Sequence, residues 1–158
     1  MIERLRAIVG EGGLRTGPAA AGWAVHGVAP AAVVAPGSVE EAAAVLDLAS
    51  REGWRVEPAG AGTWLGWGRP PERVDVVLTT ERLAGVEAYE PADLTAVVGA
   101  GMTLGLLEDT LGRHGQWLPL DPAGGGAGTL GAAVSLAEAG PLRLAHGTPR
   151  DHVLGLTL

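Results

Sequence analysis

The chain has 158 residues and a formal net charge of −7, enough for one domain or two small subdomains around a real hydrophobic core. All 11 basic residues are arginine, which argues against a nucleic-acid surface and excludes both a P-loop ammonium and a lysine Schiff base. With 0 cysteines, the chain has no disulfide, thiolate catalysis or iron–sulfur ligation of its own.

Residues 2–9 place Ile2, Leu5, Ile8 and Val9 at helical spacing and predict a short amphipathic helix. Residues 10–30, rich in glycine and proline, read as a loop. Residues 16–39 carry no formal charge, but Pro18, Pro30 and Pro36 interrupt them, so no transmembrane helix is expected. Glu3, Arg4 and Arg6 replace the apolar region of a signal peptide, and a cytoplasmic protein is the expectation. The absence of lysine, asparagine, phenylalanine and cysteine fits a GC-rich genome, and the scarcity of thermolabile residues fits a thermophile.

A strand is expected over Ala31–Ala35. Ser38 then opens a capping box with Glu41, and Val39, Ala42, Ala43, Leu46 and Ala49 form an apolar stripe that Gly53 terminates. Arg55–Glu57 and Val74–Leu78 read as further strands, so the segment forms a parallel βαβ unit. Beyond Val86 the pattern changes to a hairpin, Val86–Tyr89 and Leu94–Val98, turning at Pro91-Ala92-Asp93. Thr103 caps a helix bearing Leu104, Leu107 and Leu111 that ends at Gly115. Trp117–Leu120 reads as a strand, Thr129–Ala137 as a buried helix and His152–Leu158 as a final strand. The change of pattern near Gly85 divides the chain into residues 1–84, a βαβ subdomain, and residues 85–158, a mixed or antiparallel sheet subdomain with helices. The fold class is α/β (α+β).

Two glycine-rich segments carry the chemistry. The first, Pro58-Ala59-Gly60-Ala61-Gly62-Thr63, follows a predicted strand; the second runs from Gly124 through Gly128 into Thr129-Leu130-Gly131-Ala132. Successive amides free of Cβ interference can converge on one anion, and a helix start adds its dipole. Each also has a plainer reading, a tight glycine turn for the first and a flexible surface loop for the second. The first is not a dinucleotide fingerprint, because Leu65 occupies the third glycine position of G-x-G-x-x-G. Trp64 and Trp67 flank it and either stack on a ligand ring or pack over the loop. Arg150 either pairs with Asp151 or meets a phosphate as a bidentate donor. The four histidines lack zinc spacing, so no metal is expected, and Glu108-Asp109 reads as a solvated helix face.

The ordered motifs resemble the FAD-binding domain of the vanillyl-alcohol oxidase/p-cresol methylhydroxylase superfamily. Pro58–Thr63 is similar to its P-x-G-x-G-T loop. Val98, Gly101, Leu104, Leu107 and Leu111 match its strand–helix signature. Pro119–Pro122 is similar to its proline-rich turn, Thr129–Ala132 to its T-x-G-(G/A) helix start, and Gly147–Gly155 to its G-(T/S)-x-R-D-x-V-L-G turn. Within the superfamily, Gly115–Pro122 and Ala139-Gly140-Pro141 look most like the E subunit of bacterial glycolate oxidase.

The resemblance implies a two-subdomain FAD-binding fold of the p-cresol methylhydroxylase type with FAD as cofactor. Thr63 stands near the place where some members carry a flavin-linking histidine, so noncovalent binding is expected. The first loop would contribute Pro58, Ala59, Gly60, Ala61, Gly62, Thr63, Trp64 and Leu65. Leu120, Asp121 and Pro122 would follow from the proline turn, and Thr129, Leu130, Gly131, Ala132 and Ser135 from the helix start. Gly140, Gly147, Arg150, Asp151 and Val153 complete the implied set. Amides of Gly60–Leu65 and of the Thr129–Ala132 helix start would neutralise the pyrophosphate, with Thr63, Thr129 and Ser135 as hydroxyl donors. No catalytic residue is assigned. The implied activity is oxidation of glycolate to glyoxylate in a complex with a second flavoprotein subunit and an iron–sulfur subunit. An FAD-free assembly subunit and a D-lactate dehydrogenase are the alternatives. The family continues past this point into more strands and a substrate domain, so the chain reads as truncated.

Overall fold

Valine recurs in three short segments of the first half, and in the computed structural model, which describes residues 1–157, they become neighbouring strands. The chain divides into two compact units, Met1–Leu83 and Ala84–Leu158.

The first unit carries a four-stranded sheet of β1 (Leu14–Thr16), β2 (Ala32–Val34), β3 (Val56–Ala59) and β4 (Val76–Thr79), in the order β1-β2-β4-β3. β4 pairs parallel with both β2 and β3, so the expected βαβ strands are parallel but flank β4 rather than each other. β1 lies antiparallel on β2, within the stretch expected to be loop. Its three residues are too few for a legible alternation, and only the ladder to β2 makes them a strand. The two inner strands are buried on both faces, which explains their unbroken apolar runs.

Helices cover one face of this sheet. Leu5 and Val9 of α1 (Ile2–Val9) and Val45 and Leu48 of α3 (Val39–Glu52) pack on Ala32, Val34, Val76 and Leu78. On the other face Val33, Val74 and Val77 meet Val25 and Ala20, the latter on the short α2 (Pro18–Ala21). Burying each Val or Leu contributes about 1.5–3 kcal/mol, so replacing Val45 by aspartate would remove one such contribution and bury a charge. α3 starts and stops as its sequence dictates. The Ser38 hydroxyl accepts from Glu41 N–H, the Glu41 carboxylate accepts from Gly37 N–H, and Gly53 closes the helix at φ 66°. Its buried face differs from the expected stripe. Val45, Leu48 and Ala49 face the sheet, while Val39 and Leu46 are exposed. Apolar residues occur nearly all round this helix, and Glu40, Asp47 and Arg51 mark the solvated side better than the apolar positions mark the buried one.

The second unit begins with the expected hairpin, β5 (Val86–Glu90) and β6 (Thr95–Val98), antiparallel and joined through a 3₁₀ turn at Pro91–Asp93. α4 (Leu104–Gly112) follows, with the Thr103 hydroxyl accepting from Leu106 N–H and with Leu104 and Leu107 buried. α5 (Leu130–Ser135), α6 (Arg143–His146) and α7 (Pro149–His152) complete the described helices. α5 stops sooner than expected, as Ala137 turns to φ 51°.

Two expected strands do not form. Trp117–Leu120 runs without a ladder partner among the described residues, and Pro119 has no N–H to donate. His152 instead ends α7, and residues 153–157 run on without regular structure; Leu158 lies outside the described residues.

Candidate functional site

In the first unit, β3 delivers the chain directly into the first glycine loop. The Ala59 carbonyl accepts from Thr80 N–H at 2.9 Å and the Gly60 carbonyl accepts from the Thr79 hydroxyl at 2.7 Å. The next carbonyl to find a partner is that of Gly62, which accepts from Leu65 N–H at 3.4 Å, so the Leu65 amide expected to meet phosphate is turned inward. The amides of Gly60, Ala61 and Gly62 have no hydrogen-bond acceptor among the described residues.

Gly62 sits at φ +81°, and a Cβ there would lie 3.3 Å from the Trp23 ring. Trp64 is buried, and its ring centroid lies 6.2 Å from that of half-exposed Trp67. Ala61 and Thr63 face solvent at the tip, and Pro58 is exposed on β3. Three successive unspent amides around a left-handed glycine are the chemistry of an anion nest, and they fit the diphosphate of FAD.

The second glycine segment, in the second unit, is arranged differently. Gly124 and Gly125 take φ 91° and 62° and lead through a 3₁₀ turn into Thr129, which is buried. The helix-start amides are already taken. Leu130 N–H donates to the Met102 carbonyl at 2.8 Å, Gly131 N–H to the Ala100 carbonyl at 2.9 Å, and Ala132 N–H to the Thr129 hydroxyl at 3.3 Å. The amides of Leu130, Gly131 and Ala132, expected to face a pyrophosphate, thus have partners within the unit. The glycine at 131 serves the same packing, since a Cβ there would come 2.7 Å from Ala100 Cβ. Ser135 is exposed at the other end of α5.

The remaining residues of the expected site lie in the proline turn and the last turns. The Asp121 carboxylate accepts from Leu142 N–H at 3.1 Å, and Gly140 lies directly against Asp121. Leu120, Asp121 and Pro122 border a cavity of about 270 Å³ whose other walls include Leu104, Leu107 and Trp117. At the start of α7, the Asp151 carboxylate accepts from both Thr148 N–H at 2.7 Å and the Thr148 hydroxyl at 2.8 Å. These bonds, the backbone one first, hold the Asp151 carboxyl below the usual aspartate range. Gly147 beside them adopts φ +92°. Arg150 is exposed, and Asp151 is engaged with Thr148 rather than paired with it. Val153 is half-buried just beyond α7.

Sequence reasoning passed over Thr79 and Trp23, which seat the first loop from below. Thr79 is fully buried, and its polar side chain closing the apolar run Val76–Leu78 is the signal that marks it.

Comparison with known proteins agrees with this architecture. A family profile described as an FAD binding domain matches residues 30–158. The chain is 36% identical over 124 residues to D-lactate dehydrogenase of Archaeoglobus fulgidus, covering 78% of this chain and 28% of that one. It is 30% identical over 128 residues to glycolate oxidase subunit GlcD of Bacillus subtilis, covering 80% and 27%. The chain thus spans less than a third of the length of these relatives.

Among solved structures, an alkyldihydroxyacetonephosphate synthase superposes at TM-score 0.82 with 22% identity, covering 97% of this chain and 31% of that chain. p-Cresol methylhydroxylase superposes at 0.67 with 19% identity, covering 88% and 29%. The profile spans most of its length, so the chain belongs to the FAD binding domain family, and its fold is that of p-cresol methylhydroxylase.

Proposed function

We propose that the chain is the FAD-binding part of a 2-hydroxy-acid oxidoreductase that oxidises glycolate to glyoxylate. The observation that carries this reading is the nest of unspent amides at Gly60, Ala61 and Gly62, in a family defined by FAD binding. Similarity to a glycolate oxidase subunit and a D-lactate dehydrogenase supports a small 2-hydroxy acid as substrate, and D-lactate is supported equally. The glycolate oxidase relative is subunit GlcD, whereas the motifs look most like the E subunit. Either way, the reading places the chain in a complex with a second flavoprotein subunit and an iron–sulfur subunit.

In this reading the amides of Gly60, Ala61 and Gly62 bind the diphosphate, and the Thr79 hydroxyl holds the base of the loop that presents them. Thr63 adds a hydroxyl and, standing where some members carry a linking histidine, leaves the cofactor noncovalent. When bound, FAD supplies the hydride-accepting chemistry, and this chain's residues hold and orient it. The test is an absorbance spectrum of purified protein after FAD loading and desalting, followed by reduction with glycolate or D-lactate in the presence of the partner subunits.

A second reading, an FAD-free assembly subunit, draws on the exposed Leu144, Leu154 and Trp117 of the second unit, apolar surface suited to a partner. Stoichiometric FAD uptake by the chain alone rules it out.

A further inference from the structure

We propose that Thr79 is a positioning residue for the anion-binding loop, aiming the Ala61 amide outward through a hydrogen bond to the preceding carbonyl. This rests on the reading of the first loop as the diphosphate site. Thr79 is the last residue of β4 and fully buried. Its hydroxyl donates to the Gly60 carbonyl at 2.7 Å and accepts from Glu81 N–H at 3.2 Å, so both of its hydrogen-bonding roles are used.

In a trans peptide the carbonyl and the following N–H point to opposite sides. By drawing the Gly60 carbonyl inward, Thr79 turns the Ala61 N–H away from the core. The adjacent peptide is set in the same manner, because Thr80 N–H holds the Ala59 carbonyl and the Gly60 N–H points away from β4. Two consecutive amides are thereby fixed from the end of one strand, before any ligand arrives. Valine at this position would fill the same volume with no donor, leaving the Gly60 peptide free to rotate. A buried hydroxyl whose donor is spent on the base of a glycine loop does more than fill space.

Two variants separate aiming from packing: Thr79→Val keeps the shape and drops the hydroxyl, and Thr79→Ser keeps the hydroxyl and drops the methyl. Affinities for FAD and for riboflavin, which lacks phosphate, are measured by fluorescence titration. The order of the Gly60–Gly62 amides is measured by NMR relaxation in cofactor-free protein. The valine variant should loosen these amides and weaken FAD about tenfold, the worth of one hydrogen bond to a charged acceptor, with riboflavin unchanged. The serine variant should match the unsubstituted protein. If valine does not fold, Thr79→Ala serves in its place. Unchanged amide order and FAD affinity in the valine variant, or an equal loss in the serine variant, overturns the inference. If the unsubstituted protein takes up neither ligand, the functional reading fails on its own, and the relaxation data alone decide on Thr79.

Discussion

Gly140 lies so close to Asp121 that a β-carbon at position 140 would sit 1.9 Å from the Asp121 carbonyl oxygen. The contact is with backbone, so no side-chain rotation relieves it. Asp121 is held in turn by Leu142 N–H, two residues beyond Gly140. Gly140→Ala therefore forces the proline turn and the segment leading to α6 apart. It should destabilise the protein by about 3 kcal/mol or more, read as a lowered urea midpoint. An unchanged midpoint would show that the turn yields freely.

Thr129 is buried and caps α5 with its hydroxyl. Thr129→Val should cost about 1–2 kcal/mol, because Ala132 N–H loses its acceptor in a closed site. Thr129→Ser should recover most of that loss. Equal stability of the valine variant and the unsubstituted protein in urea denaturation would remove the cap from the account.

Asp151 gives a pH dependence with a definite sign. Its carboxyl is held below the ordinary aspartate value of about 4, chiefly by Thr148 N–H and secondarily by the Thr148 hydroxyl. A folded pKa below the unfolded one favours folding while the group is ionised. The contribution is complete above the unfolded value and disappears as pH falls through the folded value. An NMR titration of Asp151 should show a depressed midpoint, and the Thr148 amide resonance should move with it. An ordinary midpoint would mean the two Thr148 bonds do not persist in solution.

Much of this was legible in the sequence because it is local. The cap at Ser38, the stop at Gly53 and the hairpin turn at Pro91–Asp93 each depend on residues within one or two turns of one another. What escaped depends on distant partners. β1 is a strand only because Leu14 faces Val34 across the ladder, and β4 separates β2 from β3 for reasons no short window contains. The buried side of α3 follows from what Val45 meets on the sheet. The helix-start amides at Leu130 and Gly131 look available until Met102 and Ala100 are placed beside them. Conversely, the value of Thr79 emerges only when Gly60, 19 positions earlier, is found against its hydroxyl.

Gly62 tests the first loop directly. At φ +81° a side chain is strained by about 1–2 kcal/mol, and any bulk meets the Trp23 ring. Gly62→Trp should keep the sheet of the first unit, judged by circular dichroism, and fail to retain FAD. Normal FAD retention by that variant would remove the loop from the site.

The most direct measurement is the absorbance spectrum of the purified protein after incubation with FAD and desalting. A flavin spectrum at one equivalent per chain is the predicted result and shows that the chain holds the cofactor. A colourless protein that takes up no FAD would contradict the central claim.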